Sequence, residues 1–92
     1  MSEICVLLQV VTEDFATWKE IYDGNADYRV QSGINEIFLF QDINNKNSVT
    51  LLFEIDDIDQ TKEYFNSPFI QEKMRLGKVL GEVQFTFLKK SL

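Results

Sequence analysis

Apolar residues fill both faces of most extended segments in this chain. Ile4 to Val11 is a run of β-branched residues and leucine, bounded by the polar Thr12-Glu13-Asp14. Its length and composition predict a strand. Asp14 suits a helix N-cap. Behind it Phe15, Trp18, Tyr22, Ala26 and Arg29 or Val30 recur at helical spacing, with Lys19, Glu20, Asp23 and Asp27 on the other side. Gly24 inside that helix costs about 1 kcal/mol relative to Ala and marks either close packing or a local break. Gly33 suits the helix C-cap.

Asn35 to Gln41 predicts a second strand and Ser48 to Ile55 a third. Asn44-Asn45-Lys46-Asn47 between them is a turn cluster, because Asn tolerates left-handed backbone; the pair is a hairpin. Asp56 or Asp57 then caps a second helix. Asp57 with Gln60 resembles a capping box, and Ile58, Thr61 and Phe65 follow on one face. Ser67-Pro68 starts a further helical segment, with proline where its missing N–H does no harm. Gly77 and Gly81 are expected to end the helical region. Glu82 to Lys89 alternates as a last strand, with Val83, Phe85 and Phe87 on one side and Gln84, Thr86 and Leu88 on the other.

The order is β-α-β-β-α-β, the ferredoxin-like α+β arrangement, as one domain over residues 1–92 with an antiparallel sheet and helices on one face. Ile4, Val6, Leu8 and Val10 align with Val49, Leu51, Phe53 and Ile55, and with Val83, Phe85 and Phe87, as the helix-covered face. The opposite face carries Cys5, Leu7, Val11, Leu52 and Leu88 among Gln9, Thr50, Glu54, Gln84 and Thr86. The second strand contributes Phe38 and Phe40 to one face and Ile37 and Leu39 to the other. An open sheet face this apolar calls for a partner, and a homodimer through the sheet faces is expected.

Composition sharpens this picture. A 92-residue chain buries only about 60–65% of its unfolded surface, so a partner surface adds needed stability. Aromatic residues make up 13% of the chain, a large payload for a small core. The net charge of −6 repels phosphate backbones, so neither nucleic acid nor anionic membrane is an expected partner. Cys5 is the single cysteine, so no internal disulfide forms, which fits a reducing compartment. The N-terminal apolar run is too short to span a bilayer and has no basic residue before it. These features are read as a soluble, cytoplasmic protein.

Two segments carry a family likeness. Asp14-Phe15-Ala16-Thr17-Trp18-Lys19-Glu20-Ile21-Tyr22-Asp23, followed by Arg29 and Gly33, resembles the first helix of small proteins in the dimeric α+β barrel superfamily. Tyr64-Phe65-Asn66-Ser67-Pro68-Phe69-Ile70-Gln71-Glu72-Lys73-Met74, then Gly77, resembles their second helical segment. The chain is similar in this way to antibiotic-biosynthesis monooxygenase domains and to short cyclase-like bacterial proteins. The resemblance implies two sheets packed face to face in a dimer, and a ligand cleft between sheet and helices in each subunit. Oxygenase members of the group work without metal or flavin. Others degrade haem through a histidine ligand, and relatives often carry a histidine on the first strand, roughly where Gln9 stands. This chain has no histidine, which also removes the commonest general base and metal ligand. No cofactor and no metal is expected.

The candidate ligand-binding residues are Trp18, Tyr22, Arg29, Phe53, Phe65 and Met74. Trp18 and Tyr22, at i and i+4, could line an apolar cleft with Phe53, Phe65 and Met74; plain core is the commoner origin of such a stripe. Arg29, two turns beyond Tyr22, could meet an anionic or enolate oxygen. Its ordinary alternative is a salt bridge to Glu36, Asp27 or another acid, which an acid-rich chain favours. Glu54, among apolar neighbours, is either a base with a raised pKa or a rim carboxylate paired with Lys or Gln. Tyr28 and Tyr64 offer hydroxyl donors without an evident partner. Asp56, Asp57 and Asp59 match a helix N-terminus better than a calcium loop. Catalytic residues are not legible at this level. Three readings follow: a dimeric binder of a small aromatic or acyl molecule, a cofactor-independent monooxygenase or cyclase-like enzyme, and a non-enzymatic interaction module.

Overall fold

A computed structural model of the chain describes residues 3–91. The element order is β1 (Ile4–Thr12), α1 (Phe15–Gly24), α2 (Ala26–Gln31), β2 (Ile34–Gln41), β3 (Ser48–Ile55), α3 (Ile58–Asn66), α4 (Pro68–Leu76) and β4 (Val79–Lys89). The four strands form one antiparallel sheet in the order β2-β3-β1-β4. This is the ferredoxin-like α+β fold, with each helical leg divided in two. No helix among the described residues is long and apolar enough to cross a membrane.

The caps are those the side chains favour. Asp14 accepts from the Thr17 amide at 3.0 Å, Asp57 from the Gln60 amide at 2.7 Å, and the Ser67 hydroxyl from the Ile70 amide at 3.3 Å. Pro68 occupies the first turn of α4. The expected continuous first helix breaks at Asn25, which closes α1 by donating its amide to the Tyr22 carbonyl at 3.2 Å. Gly24 marks that break and no close packing, since a Cβ there would meet nothing within 4 Å. Ser32 is the C-cap of α2, and Gly33 follows it at φ +77.

The helix-side core is built on the predicted faces of β1 and β3. Val6 pairs with Phe53, Leu8 with Leu51 and Val10 with Val49, and all six are buried. Trp18, Ile34, Tyr64, Phe65 and Ile70 close over them. The edge strands depart from simple alternation. Ile37 is an extra residue in β2, since Glu36 pairs with Phe53 and Phe38 with Leu52. Glu36 therefore shares the helix side with Phe53, while Phe38 and Phe40 turn to the open face.

The last strand begins at Val79, not Glu82, and Gly81 lies inside it instead of ending a helix. Leu80 pairs with Val11 and Gln84 with Gln9, so Gly81, Glu82 and Val83 stand against the single residue Val10. Gly81 at φ +67 accommodates that bulge. Its left-handed backbone ends nothing; it lets the strand continue. The helical layer covers β1 and β3 well but leaves the helix side of β4 partly bare, and Phe85 remains exposed although it meets Phe65 at 5.2 Å.

Phe38 and Phe40 on the open face are 54% and 52% exposed, with ring centroids 5.5 Å apart. Val11, Leu80 and Leu88 are exposed as well. Cys5 is buried on this side. It pairs with Glu54 in β3 and Leu88 in β4, and Glu54 forms a salt bridge with Lys90. That is the paired-carboxylate alternative for Glu54.

Candidate functional site

All six candidate residues, Trp18, Tyr22, Arg29, Phe53, Phe65 and Met74, line one cavity of about 60 Å³ between the helices and the sheet. Its construction follows from the helical legs. Trp18 and Tyr22 stack on α1 with ring centroids 4.8 Å apart and planes 19° from parallel. Tyr22 meets Phe53 of β3 at 6.5 Å, and Phe53 meets Phe65 of α3 at 6.2 Å. Pairs at these separations contribute about 0.5–1.5 kcal/mol each beyond simple burial. α4 runs antiparallel to α1. Near its start Phe69 meets Tyr28 of α2 edge-on at 5.4 Å, and beyond its end a Cβ on Gly77 would lie 3.3 Å from Trp18 Cδ1.

The break at Asn25 turns α2 so that Arg29 points inward, 7% exposed, while Val30 is left in solvent. The Arg29 guanidinium carbon lies 3.6 Å from the centroid of the Tyr22 ring. Its Nη1 donates to the Tyr22 carbonyl at 2.7 Å. The expected salt bridge to Glu36 or Asp27 does not form. Among the described residues Arg29 has no carboxylate within ion-pairing distance. Glu36 instead accepts from the Tyr22 hydroxyl at 2.6 Å, because the β2 bulge keeps it on the helix side.

The charge of the cavity wall is opposite to that of the chain. Arg29 and Lys73 line it and no Asp or Glu does, although the net charge is −6. Taking a cation out of water costs several kcal/mol. A desolvated cation–π contact returns about 2 kcal/mol of that. The wall is therefore suited to an anion.

Both cavity tyrosines are held neutral. Burial raises the Tyr22 phenol far above its ordinary range, and the hydrogen bond to Glu36 raises it further. Burial also raises Tyr64, with Arg29 pulling the other way. Neither is a general base near neutral pH.

Among the polar residues of the wall, sequence reasoning left Asn25 and Lys73 unmentioned as lining. Only Asn25 carried a signal, as the residue after a helix-breaking glycine. That reasoning also missed Asn47, which fastens the start of α1 from the β2–β3 loop. Asn47 Oδ1 accepts from the Phe15 amide at 2.9 Å, and its Nδ2 donates to the Glu13 carbonyl at 3.3 Å.

No protein-family profile matches this chain, and no curated protein sequence does. Solved structures do match over its whole length. A candidate antibiotic biosynthesis monooxygenase from Bordetella bronchiseptica superposes with a TM-score of 0.79 at 15% identity, covering 100% of both chains. A conserved protein from Methanosarcina mazei Go1 gives 0.71 at 16% identity over 96% of this chain and 92% of that one. SnoaB, a cofactor-independent oxygenase from Streptomyces nogalater, gives 0.72 at 10% identity over 100% and 96%. The chain thus has the fold of the antibiotic biosynthesis monooxygenase-like structures, in keeping with the α+β barrel resemblance of its two helical segments.

Proposed function

We propose that this chain is a single-domain, cytoplasmic homodimer that binds a small aromatic or acyl molecule in the cleft between helices and sheet. Arg29 holds an anionic oxygen of the ligand, and Trp18, Tyr22, Phe53, Phe65 and Met74 supply the apolar wall. The observation that carries this reading is the buried guanidinium of Arg29, which faces a cavity without a carboxylate in a strongly acidic chain. The open sheet face supports the dimer: Leu7, Val11, Leu52 and Leu88, joined by Phe38 and Phe40, form a surface that no helix covers.

Catalysis by a cofactor-independent oxygenase is the second reading, favoured by the fold shared with SnoaB. With both cavity tyrosines held neutral, such a reaction would rely on the acidity of the substrate itself. Native mass spectrometry of protein from its own cells tests the first reading. It should show a dimer carrying a small molecule, and an empty dimer or monomer would count against it. Oxygen consumption with electron-rich phenols would favour the second.

A further inference from the structure

The 60 Å³ cavity is smaller than the molecules the walls suit, since drug-sized ligands occupy about 300–1,000 Å³. It holds a head group of a few atoms. Beside it lies an open groove of about 470 Å³ between α4 and β4, and the two share Met74 and Val79 in their walls. The groove exists because β4 bulges at Gly81–Val83 and the helices leave Phe85 uncovered.

The shared wall and the cation stand at different ends. Arg29 lies on Tyr22, near Tyr28, which meets Phe69 at the start of α4. Met74 belongs to the other end of α4, toward Gly77 and Trp18. A molecule bound at Arg29 that outgrows the cavity reaches this groove, the largest of the adjoining spaces, past Met74. Methionine is unbranched and readily re-packs, which suits a movable wall. The groove beyond offers Val79, Val83 and Phe85. Its one cation, Arg75, is paired with Glu72, with Nε donating at 2.9 Å, and the Glu82 carboxylate also lines it, so it favours an apolar tail over a second anionic group.

We propose that the ligand is an elongated monocarboxylate, its carboxylate on Arg29 and its apolar tail passing Met74 into the α4–β4 groove, with Met74 setting the accepted chain length. This rests on the ligand-binding reading above and extends it to a substrate class and a specificity residue.

The probes are straight-chain carboxylates of four to twelve carbons, each against the matching primary alcohol. Binding to the intact protein is followed by calorimetry. Wild-type affinity for the acids should rise about two- to fourfold per added methylene until the groove is filled, with each acid ahead of its alcohol. Met74→Trp should abolish that rise beyond the shortest acids. Met74→Ala should admit branched tails that wild type rejects. Unchanged chain-length dependence in folded Met74→Trp protein would overturn the gate while leaving the ligand reading in place. The same conclusion holds if Met74→Trp changes the oligomeric state and not acid binding, which would assign the groove to a second copy of the chain. Failure of every acid and alcohol to bind wild type would remove the ligand reading and the gate together. Val79→Phe narrows the same opening from the strand side and should repeat the Met74→Trp result.

Discussion

The guanidinium of Arg29 lies in the core on the ring of Tyr22, 3.6 Å from its centroid, while Nη1 donates to the Tyr22 carbonyl at 2.7 Å. Tyr22 in turn stacks on Trp18, so a cation, a phenol and an indole form one column along the helical leg. The column depends on the Asn25 break, because the same segment as a regular helix would not fold Arg29 back onto the residue seven positions earlier.

Trp18 is 6% exposed and wedged between Tyr22 and Gly77. Trp18→Ala should cost about 3–5 kcal/mol of unfolding free energy, as large aromatic truncations in cores do. Wild-type tryptophan fluorescence should be blue-shifted in the native state. An emission maximum equal to that of the unfolded chain would contradict the burial.

Of the three described residues with left-handed backbone, Lys78 and Gly33 give contrasting predictions. Lys78 sits at φ +58, where a non-glycine residue carries a penalty of about 1–2 kcal/mol. Its carbonyl accepts from the Glu13 amide at 2.9 Å, a bond that a glycine would keep. Lys78→Gly should therefore stabilise by about 1 kcal/mol or leave stability unchanged after its added unfolded-state entropy. Gly33→Ala should destabilise by about 1–2 kcal/mol or more, because φ is +77 and the new Cβ would lie 2.8 Å from Asp56 Oδ2. Urea unfolding of both variants measures these opposite signs.

Much of this was legible in the chain, and the failures share a cause. The faces of β1 and β3 could be read because period-two alternation continues unbroken through both. Trp18, Tyr22 and Phe53 could be read as cavity residues because helical spacing and strand register bring them together, whereas Arg29 reaches them through the Asn25 break. Gly81 was misleading because a glycine soon after a helix resembles a stop, whereas its role depends on a bulge against Val10 of a distant strand. The partner of Arg29 was misleading for the same reason. Acids are abundant, but the β2 bulge gives Glu36 to Tyr22, leaving Arg29 on the Tyr22 ring. Bulges and breaks are set by long-range pairing, which local pattern does not contain.

Leu52→Asp should dissociate the proposed dimer. Leu52 pairs with Leu7 and with Phe38 on the open face, and an aspartate there would be desolvated on association. Sedimentation at micromolar concentration should show wild type as a dimer and the variant as a folded monomer. A wild-type monomer would remove the sheet-to-sheet argument.

The Asp14 cap should make stability acid-sensitive. The Thr17 hydroxyl, first, and the Thr17 amide hold the Asp14 carboxyl below its ordinary value of 3.8. A group depressed on folding stabilises above its unfolded value, and that contribution is lost as pH falls through the folded value. The Tm deficit of Asp14→Ala should thus be largest near neutral pH and shrink below about pH 4. A deficit independent of pH would show that the charge contributes nothing.

The central claim is that Arg29 is buried to bind an anion. Arg29→Met keeps the apolar stem and removes the charge, and the Tyr22 carbonyl retains the Asn25 amide as a donor. The variant should be as stable as wild type to within about 1 kcal/mol, since no carboxylate is left unpaired. The most direct measurement is the affinity of both proteins for benzoate and for benzyl alcohol, by calorimetry under one condition. Wild type should prefer benzoate at least about tenfold, in line with the roughly 1.5–3 kcal/mol of a charged hydrogen bond, and Arg29→Met should bind the two alike. Equal loss of both ligands, or a wild type without preference, would contradict the account and return Arg29 to a purely structural role.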